Sequence, residues 1–188
     1  LCRPGRSPNF AFRSPSSLAT EMNKIAKQYK ASATGSNPIL PQLKDVRLGL
    51  NVSSCDGLPS VVCVADDDNP ADFMHGLLAP MAYSKDLAGK FVYSTTSDSS
   101  MLESVKNYNG QPGILLIEPG EYGLDGQLVK FFSPSTKSEV LEKALTEYAN
   151  ASGKVTKNHS LHVRTGMREG KVWKTEIPIE DQGTLQAM

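Results

Sequence analysis

The stretch S-V-V-C-V-A-D-D-D-N-P-A, from Ser60 to Ala71, decides the fold of this chain. Its first half, Ser60 to Ala65, is a continuous apolar run rich in β-branched residues, which is typical of a strand buried on both faces of a sheet. The acidic residues that follow indicate a loop, and Pro70 suits the first turn of a helix beginning near Ala71. The stretch therefore predicts a strand, a loop and a helix, as at the start of an α/β unit.

Three more strands are predicted after this unit, the last two joined as a hairpin by a glycine-rich turn. They are Phe91–Thr95, Gly113–Glu118 and Gln127–Phe132. Helices are predicted over 71–87 and 100–108, and a third begins at a capping box formed by Thr136 and Glu139. The predicted order is βαβα followed by ββα, and the predicted class is α/β.

This α/β domain is predicted to cover residues 38–153, with an extension on each side. The first extension, 1–37, is a leader followed by a helix that Ser17 can cap. A further helix is predicted from about Gln42, at the start of the domain. The second extension, 154–188, is predicted to be a β-hairpin with strands 159–165 and 171–177 and a tail, packed on the domain through Trp173.

Composition excludes two classes of partner. Lysine plus arginine equals aspartate plus glutamate at 20 each, so no overall field favours nucleic acid. The longest apolar run, Ile114 to Ile117, is too short to span a membrane. The first twenty residues contain three arginines and no acidic residue, a composition that fits a tail or the leader of an exported or organellar protein, and the compartment stays open.

Two segments together resemble the thioredoxin-like family. They are V-A-D-D-D-N-P-A (Val64 to Ala71) and Y-N-G-Q-P-G-I-L-L-I (Tyr108 to Ile117). In that family a buried strand ends in a W-C-G-P-C turn that opens a helix, and a cis-proline lies across from the turn. Asp68 and Pro112 are 44 positions apart, close to the family's separation of first cysteine and cis-proline. The resemblance implies a thioredoxin-like βαβαββα sandwich with a cis peptide bond at Gln111–Pro112.

In this register the two cysteines of the turn are replaced by Asp68 and Ala71. Disulfide exchange needs an attacking thiolate and a second thiol that resolves the mixed disulfide. We therefore expect no thiol–disulfide oxidoreductase activity, and the resemblance implies a redox-inactive domain that binds a protein or peptide, or acts as a scaffold. The implied binding surface comprises Asp67, Asp68, Asn69, Pro70, Ala71, Gln111 and Pro112.

The aspartates leave a second interpretation open. Carboxylates just before a helix can cap it or interact with its dipole without any ligand. They are also preferred ligands of Mg²⁺ and Ca²⁺, so Asp66, Asp67 and Asp68 could serve a metal-dependent module or enzyme. Apart from this alternative, the sequence indicates no cofactor.

The remaining cysteines and histidines indicate no standard enzyme class. Cys2, Cys55 and Cys63 fit no metal-binding spacing, and Cys63 lies inside the predicted buried strand. His159 and His162 could share a metal on a helix, but on the predicted strand they would point to opposite faces. The sequence contains no recognisable catalytic triad, phosphate-binding glycine loop or CxxC metal knuckle.

Overall fold

A computed structural model describes residues 14–28, 38–43, 45–152 and 158–171. The chain divides into two compact units, Leu1–Ser36 and Asn37–Met188. In the first unit the helix α1 spans Pro15–Ala26. Its N-cap is Ser14, whose hydroxyl accepts from Ser17 N–H, while the Ser17 hydroxyl accepts from Ser14 N–H. Ser17 is thus the third residue of the helix, and the prediction that it caps the helix is wrong.

The second unit is a mixed α/β structure, which confirms the predicted class. Its strands are β1 Gln42–Leu43, β2 Ser60–Val64, β3 Val92–Thr96, β4 Val105–Lys106, β5 Gly113–Pro119 and β6 Gly126–Phe132. Its α-helices are α2 Val46–Asp56, α3 Ala71–Ala82, α4 Ser138–Ala151 and α5 His159–Arg168. Two 3₁₀ helices span Ser99–Leu102 and Glu121–Gly123. The four predicted strands correspond to β2, β3, β5 and β6.

All six strands form one sheet in the order β1-β3-β2-β5-β6-β4. β1, β3 and β2 run parallel, β5 is antiparallel to both β2 and β6, and β4 is parallel to β6. β2 is paired along its whole length on both sides, so that Val62 lies between Ser94 and Leu115. This central position explains why β2 is apolar throughout.

Alternate residues of β2 face two different cores. Val61 and Cys63 pack in a cluster with Met74 of α3 and Leu141 of α4. Val62 and Val64 belong to the opposite cluster, which contains Val46 and Leu50 of α2. Because side chains alternate across a strand, helices on both faces require an apolar residue at every position of β2.

Two predicted helices differ from the structure. The residues near Gln42 form β1, where Gln42 lies opposite Tyr93, and the helix begins only at Val46. Its N-cap is Asp45, whose carboxylate accepts from Leu48 N–H. The predicted helix 100–108 is a short 3₁₀ helix followed by β4, because Val105 pairs with Gly126. Strand pairing at the two edges of the sheet overrides the apolar spacing in both places.

The predicted C-terminal hairpin is also wrong in its first strand, because residues 159–168 form the helix α5. Asn158 caps this helix by accepting from Leu161 N–H. Thr165 and Gly166 are buried, and a Cβ on Gly166 would lie 2.3 Å from Tyr122 Cζ. The helix therefore docks through two adjacent small residues near its C-terminal end. The second predicted strand and Trp173 fall, apart from residue 171, outside the described residues.

The turn Glu121–Gly123, here called the Tyr122 turn, packs against α2 as well as α5. Tyr122 and Gly123 both have left-handed backbones, with φ of 55° and 61°. The Asn51 side-chain amide donates to the Tyr122 carbonyl at 2.9 Å in a buried position. A Cβ on Gly123 would lie 2.4 Å from the Leu50 carbonyl carbon, so only glycine allows this approach. The turn is therefore a junction between two helices.

Among the residues that the structure describes, no helix is long and apolar enough to cross a membrane. This agrees with the prediction from the apolar runs.

Gly123→Ala should destabilise the fold far more than Gly89→Ala. Both glycines have positive φ, but a Cβ meets nothing within 4 Å at Gly89. Left-handed strain alone should cost Gly89→Ala about 1–2 kcal/mol. At Gly123 the steric overlap adds about 1–3 kcal/mol. Urea denaturation of the two variants measures the difference, and equal losses would show that the Tyr122 turn does not need this close approach.

Cys63→Val should reduce the loss of stability at alkaline pH. Burial raises the pKa of the Cys63 thiol from 9.0 to about 12. The unfolded chain then loses this proton at lower pH than the folded chain, so the free energy of unfolding falls as pH rises from 9.0 towards about 12. Burial also raises the pKa of Tyr93 to about 12. The variant keeps Tyr93, so part of the alkaline loss of stability should remain in it.

Denaturation of the parent and Cys63→Val at about pH 8 and about pH 10.5 measures this effect. Val62→Ala is the control, because it perturbs the same strand without removing a titrating group. It should lower stability by the same amount at both pH values. An unchanged alkaline slope in Cys63→Val would contradict the prediction.

Candidate functional site

The predicted binding residues meet at the carboxyl end of the central strands. Asp66, Asp67 and Asp68 follow β2 after Ala65, and Asp98 lies two residues beyond the end of the parallel neighbour β3. β5 runs in the opposite direction and begins at Gly113, which pairs with Val64. Pro112 therefore enters the sheet beside the loop that leaves β2. The structure brings the two predicted segments to one edge, here called the acidic edge (residues 65–72, 98 and 111–112).

Asp66 closes the loop after β2. Its carboxylate accepts from the Asn69 backbone N–H at 2.7 Å and from the Asn69 side-chain amide at 2.9 Å. The Asp66 N–H in turn donates to the Asn69 carbonyl at 3.2 Å. This closed loop leaves Asp67 and Asp68 exposed at its tip. Pro70, and not an aspartate, is the N-cap residue of α3, and it makes no side-chain cap hydrogen bond.

The predicted cis peptide bond at Gln111–Pro112 is wrong, because this bond is trans. The chain turns earlier, at Asn107 with φ of 66° and at Gly110 with φ of 81°. The turn is completed by the Tyr108 hydroxyl, which donates to the Gln111 carbonyl at 3.0 Å. With the reversal made by these left-handed residues, a trans bond suffices to bring Pro112 to β5.

The acidic edge carries negative charge without local compensation in the sequence. Besides the three aspartates of the loop and Asp98, Asp72 in the first turn of α3 is a fifth carboxylate. Glu103 follows the 3₁₀ helix Ser99–Leu102. Neither 64–76 nor 95–104 contains a lysine or arginine. Hydrogen bonds from Ser100 lower the pKa of Asp98 below its ordinary value, so this carboxylate is charged at neutral pH. The edge suits a positively charged ligand.

A polar chain lies next to the acidic edge, between α3 and the sheet. His75 Nε2 is 2.7 Å from the Thr95 hydroxyl, which donates to the Gln42 side-chain oxygen. Desolvation by burial lowers the pKa of His75, although Asp72 opposes this shift. The nearby Cys63 thiol is fully buried with a pKa of about 12, so it is not a thiolate nucleophile at neutral pH. These groups satisfy one another within the fold.

A second cluster, which the sequence patterns did not predict, is formed by Cys55, Asp56 and His159. Cys55 Sγ lies 3.1 Å from His159 Nδ1, and the ligand atoms of all three residues lie within 4.8 Å of one another. Cys55 and His159 are 104 positions apart, and the predicted strand at His159 gave no reason to join them. The available signal was the pair of histidines three residues apart, which is a helical spacing.

Metal binding by Asp66, Asp67 and Asp68 stays a prediction. Asp66 uses its carboxylate to close the loop, and the two others are exposed. Within residues 14–28, 38–43, 45–152 and 158–171, one group of three possible ligands converges within 4.8 Å, and it is the Cys55 cluster. The acidic edge thus provides negative charge and exposed polar side chains at a turn that contains no cysteine.

Comparison of the chain with protein-family models, with curated proteins and with solved structures found no match.

Proposed function

We propose that this protein is a redox-inactive, thioredoxin-like binding module that takes an extended basic peptide at the acidic edge. The observation that carries the proposal is the meeting of the Asp67–Asp68 tip with Gln111 and Pro112 at one end of β2. The succession β2, α3, β3, β5, β6, α4 supports the family resemblance. Because the Gln111–Pro112 bond is trans, this support comes from topology and not from the proline isomer.

The positions of the sulfur atoms support the proposed absence of thiol–disulfide chemistry at this turn. The turn between β2 and α3 has aspartate and alanine where the resemblance implies two cysteines. Cys63, the nearest cysteine in sequence, is enclosed within β2 and keeps its proton at neutral pH. A buried thiol with a raised pKa cannot attack a disulfide from the surface.

The peptide is recognised through side chains of the acidic edge. Both backbone groups of Gln111 already have partners, since its N–H donates to the Asn109 side chain at 3.2 Å and its carbonyl accepts from Tyr108. They do not offer a free strand edge to a ligand. The exposed Gln111 amide and the Asp67 and Asp68 carboxylates remain as the contact groups.

Charge selects the class of peptide. The exposed carboxylates attract lysine and arginine side chains, and the Gln111 amide can hydrogen-bond the peptide backbone. Exposed ion pairs contribute only about 0.2–1 kcal/mol each, so several must act together. An extended peptide with alternating basic residues places successive charges on one side and fits this requirement.

Reduction of insulin by dithiothreitol should run at the uncatalysed rate in the presence of this protein, because the turn has no thiol. The variant D68C/A71C places two thiols at the turn and is the positive control, expected to exceed the background rate. Turbidity of precipitated insulin chains measures both. Turnover by the parent that survives Cys55→Ser and Cys63→Ser but disappears with Asp68→Ala would contradict the proposal.

Asp67→Asn combined with Asp68→Asn should weaken binding of a fluorescein-labelled peptide of alternating lysine and valine. Loss of two exposed ion pairs predicts a change of about two- to thirtyfold in Kd, read by fluorescence anisotropy. The matched control is Glu139→Gln with Glu142→Gln, which removes the same charge from exposed positions on α4.

In the parent, added salt should weaken the binding. If both double variants bind the peptide equally, or if binding does not depend on salt, the acidic edge is not the binding surface. The variant Gln111→Ala separates the contribution of hydrogen bonding from that of charge. It should weaken peptide binding without changing the dependence of binding on salt.

A further inference from the structure

The Cys55 cluster brings together three different kinds of metal-ligating atom. Cys55 and Asp56 are the last two residues of α2, and His159 is the first residue of α5. The thiol sulfur, a carboxylate oxygen and an imidazole nitrogen all lie within 4.8 Å of one another. The fold therefore assembles this group from two segments that are far apart in sequence and lie outside the acidic edge.

We propose that Cys55, Asp56 and His159 bind a zinc ion, which joins the end of α2 to the start of α5. In a tetrahedral zinc site, bonds of about 2.3 Å to sulfur and about 2.0 Å to nitrogen place these two atoms about 3.5 Å apart. The observed separation of Cys55 Sγ and His159 Nδ1 is 3.1 Å. An outward shift of a few tenths of an ångström by either side chain accommodates the ion.

The donor set selects the metal. Thiolate and imidazole are ligands of zinc and similar transition metals, whereas Mg²⁺ and Ca²⁺ take oxygen ligands. With Cys55 and Asp56 ionised, two negative charges balance the charge of the divalent ion. The site lies at the C-terminal end of α2, whose dipole favours a cation, and at the N-terminal end of α5, whose dipole opposes one, so the helix dipoles do not decide the ion. The ligand types and their two negative charges select the ion class.

The protein holds the distant ligand in place before any ion binds. Asn158 caps α5 immediately before His159. Further along α5, the Thr165 hydroxyl donates to the Glu121 carboxylate at 3.2 Å, and Gly166 lies against the Tyr122 ring. The Tyr122 turn is itself fixed to α2 through Asn51. One junction thus positions both helices that supply ligands.

The exposure of the group suits a three-ligand site with a position for solvent. Cys55 and Asp56 are partly buried, and His159 is exposed. Three protein ligands plus water is a common arrangement for zinc. His162, one helical turn further on, packs against the Tyr122 ring with the ring centroids 4.5 Å apart and the planes tilted by 42°, and it is not part of the group.

Titration of the chelator-treated full chain with zinc chloride, in a phosphine reductant, tests the proposal by calorimetry. We expect one zinc ion per chain. Cys55→Ser, Asp56→Asn and His159→Gln should each weaken binding at least tenfold, because each removes a ligand. Matched controls Cys2→Ser, His75→Gln and Asp86→Asn remove the same residue types elsewhere and should leave the affinity unchanged.

Asp56→Asn also tests whether the carboxylate is a ligand, because it should lower the zinc affinity while the Cys55 sulfur and the His159 nitrogen stay in place. Zinc should raise the Tm of the parent by several degrees and leave that of His159→Gln unchanged, since an ion bound only to the folded state stabilises it. His159 is exposed, so this variant is expected to fold even if Cys55→Ser does not. Cobalt(II) should give a thiolate charge-transfer band that is absent in Cys55→Ser.

Any of three results overturns the proposal. If the parent binds no zinc, Cys55 and His159 are a hydrogen-bonded pair only. If zinc binds but Cys55→Ser and His159→Gln bind it equally well, the ion is adventitious. Zinc binding that is lost in a variant lacking Asp66, Asp67 and Asp68, and kept in the three ligand variants, would instead assign the metal to the acidic edge.

Discussion

The pairing of β2 with β3 on one side and β5 on the other is the constraint on which the rest of the structure depends. Five consecutive residues, Ser60–Val64, are buried and paired on both sides. Their side chains alternate between the core under α3 and α4 and the core under α2. The same pairing determines which residues meet at the carboxyl end of β2. The Asp66 loop begins there, and Pro112 lies beside that loop because β5 is antiparallel to β2.

The Tyr122 turn is the second constraint, and it acts between helices. Two consecutive left-handed residues let the turn approach the backbone of α2, where glycine is needed, and present the tyrosine ring to Gly166 of α5. Glu121 adds contacts to Thr165 and Arg168, of which the Arg168 ion pair is exposed and therefore weak. Close packing of small residues, more than charge, thus holds α5 and positions His159 at the end of α2.

Sequence patterns predicted the parts of the fold that follow from burial. The apolar runs in β2 and β5 were evident because these strands are buried, whereas β6 is only partly buried and was indicated by the glycine-rich turn before it. The patterns failed where contacts between distant residues determine the secondary structure. Gln42 pairs with Tyr93, and Val105 pairs with Gly126, so both lie in strands. The β-branched residues near 163 lie in a helix because Gly166 fits against Tyr122. Of the two candidate sites, the acidic edge follows from local sequence. The Cys55 cluster joins residues 104 positions apart, and the local pattern indicated at most that His159 and His162 lie on a helix.

The two sites lie at opposite ends of the same strand. Cys55 and Asp56 end the helix that leads into β2, and Asp66 begins the loop that leaves it. Five strand residues span about 16 Å, more than the Debye length of about 8 Å at physiological salt. Charge at one site is therefore largely screened from the other, and β2 lies between them, fully buried and paired on both sides. An ion at the Cys55 cluster should accordingly act on α5, which packs against the Tyr122 turn, and leave the proposed peptide binding at the acidic edge unchanged.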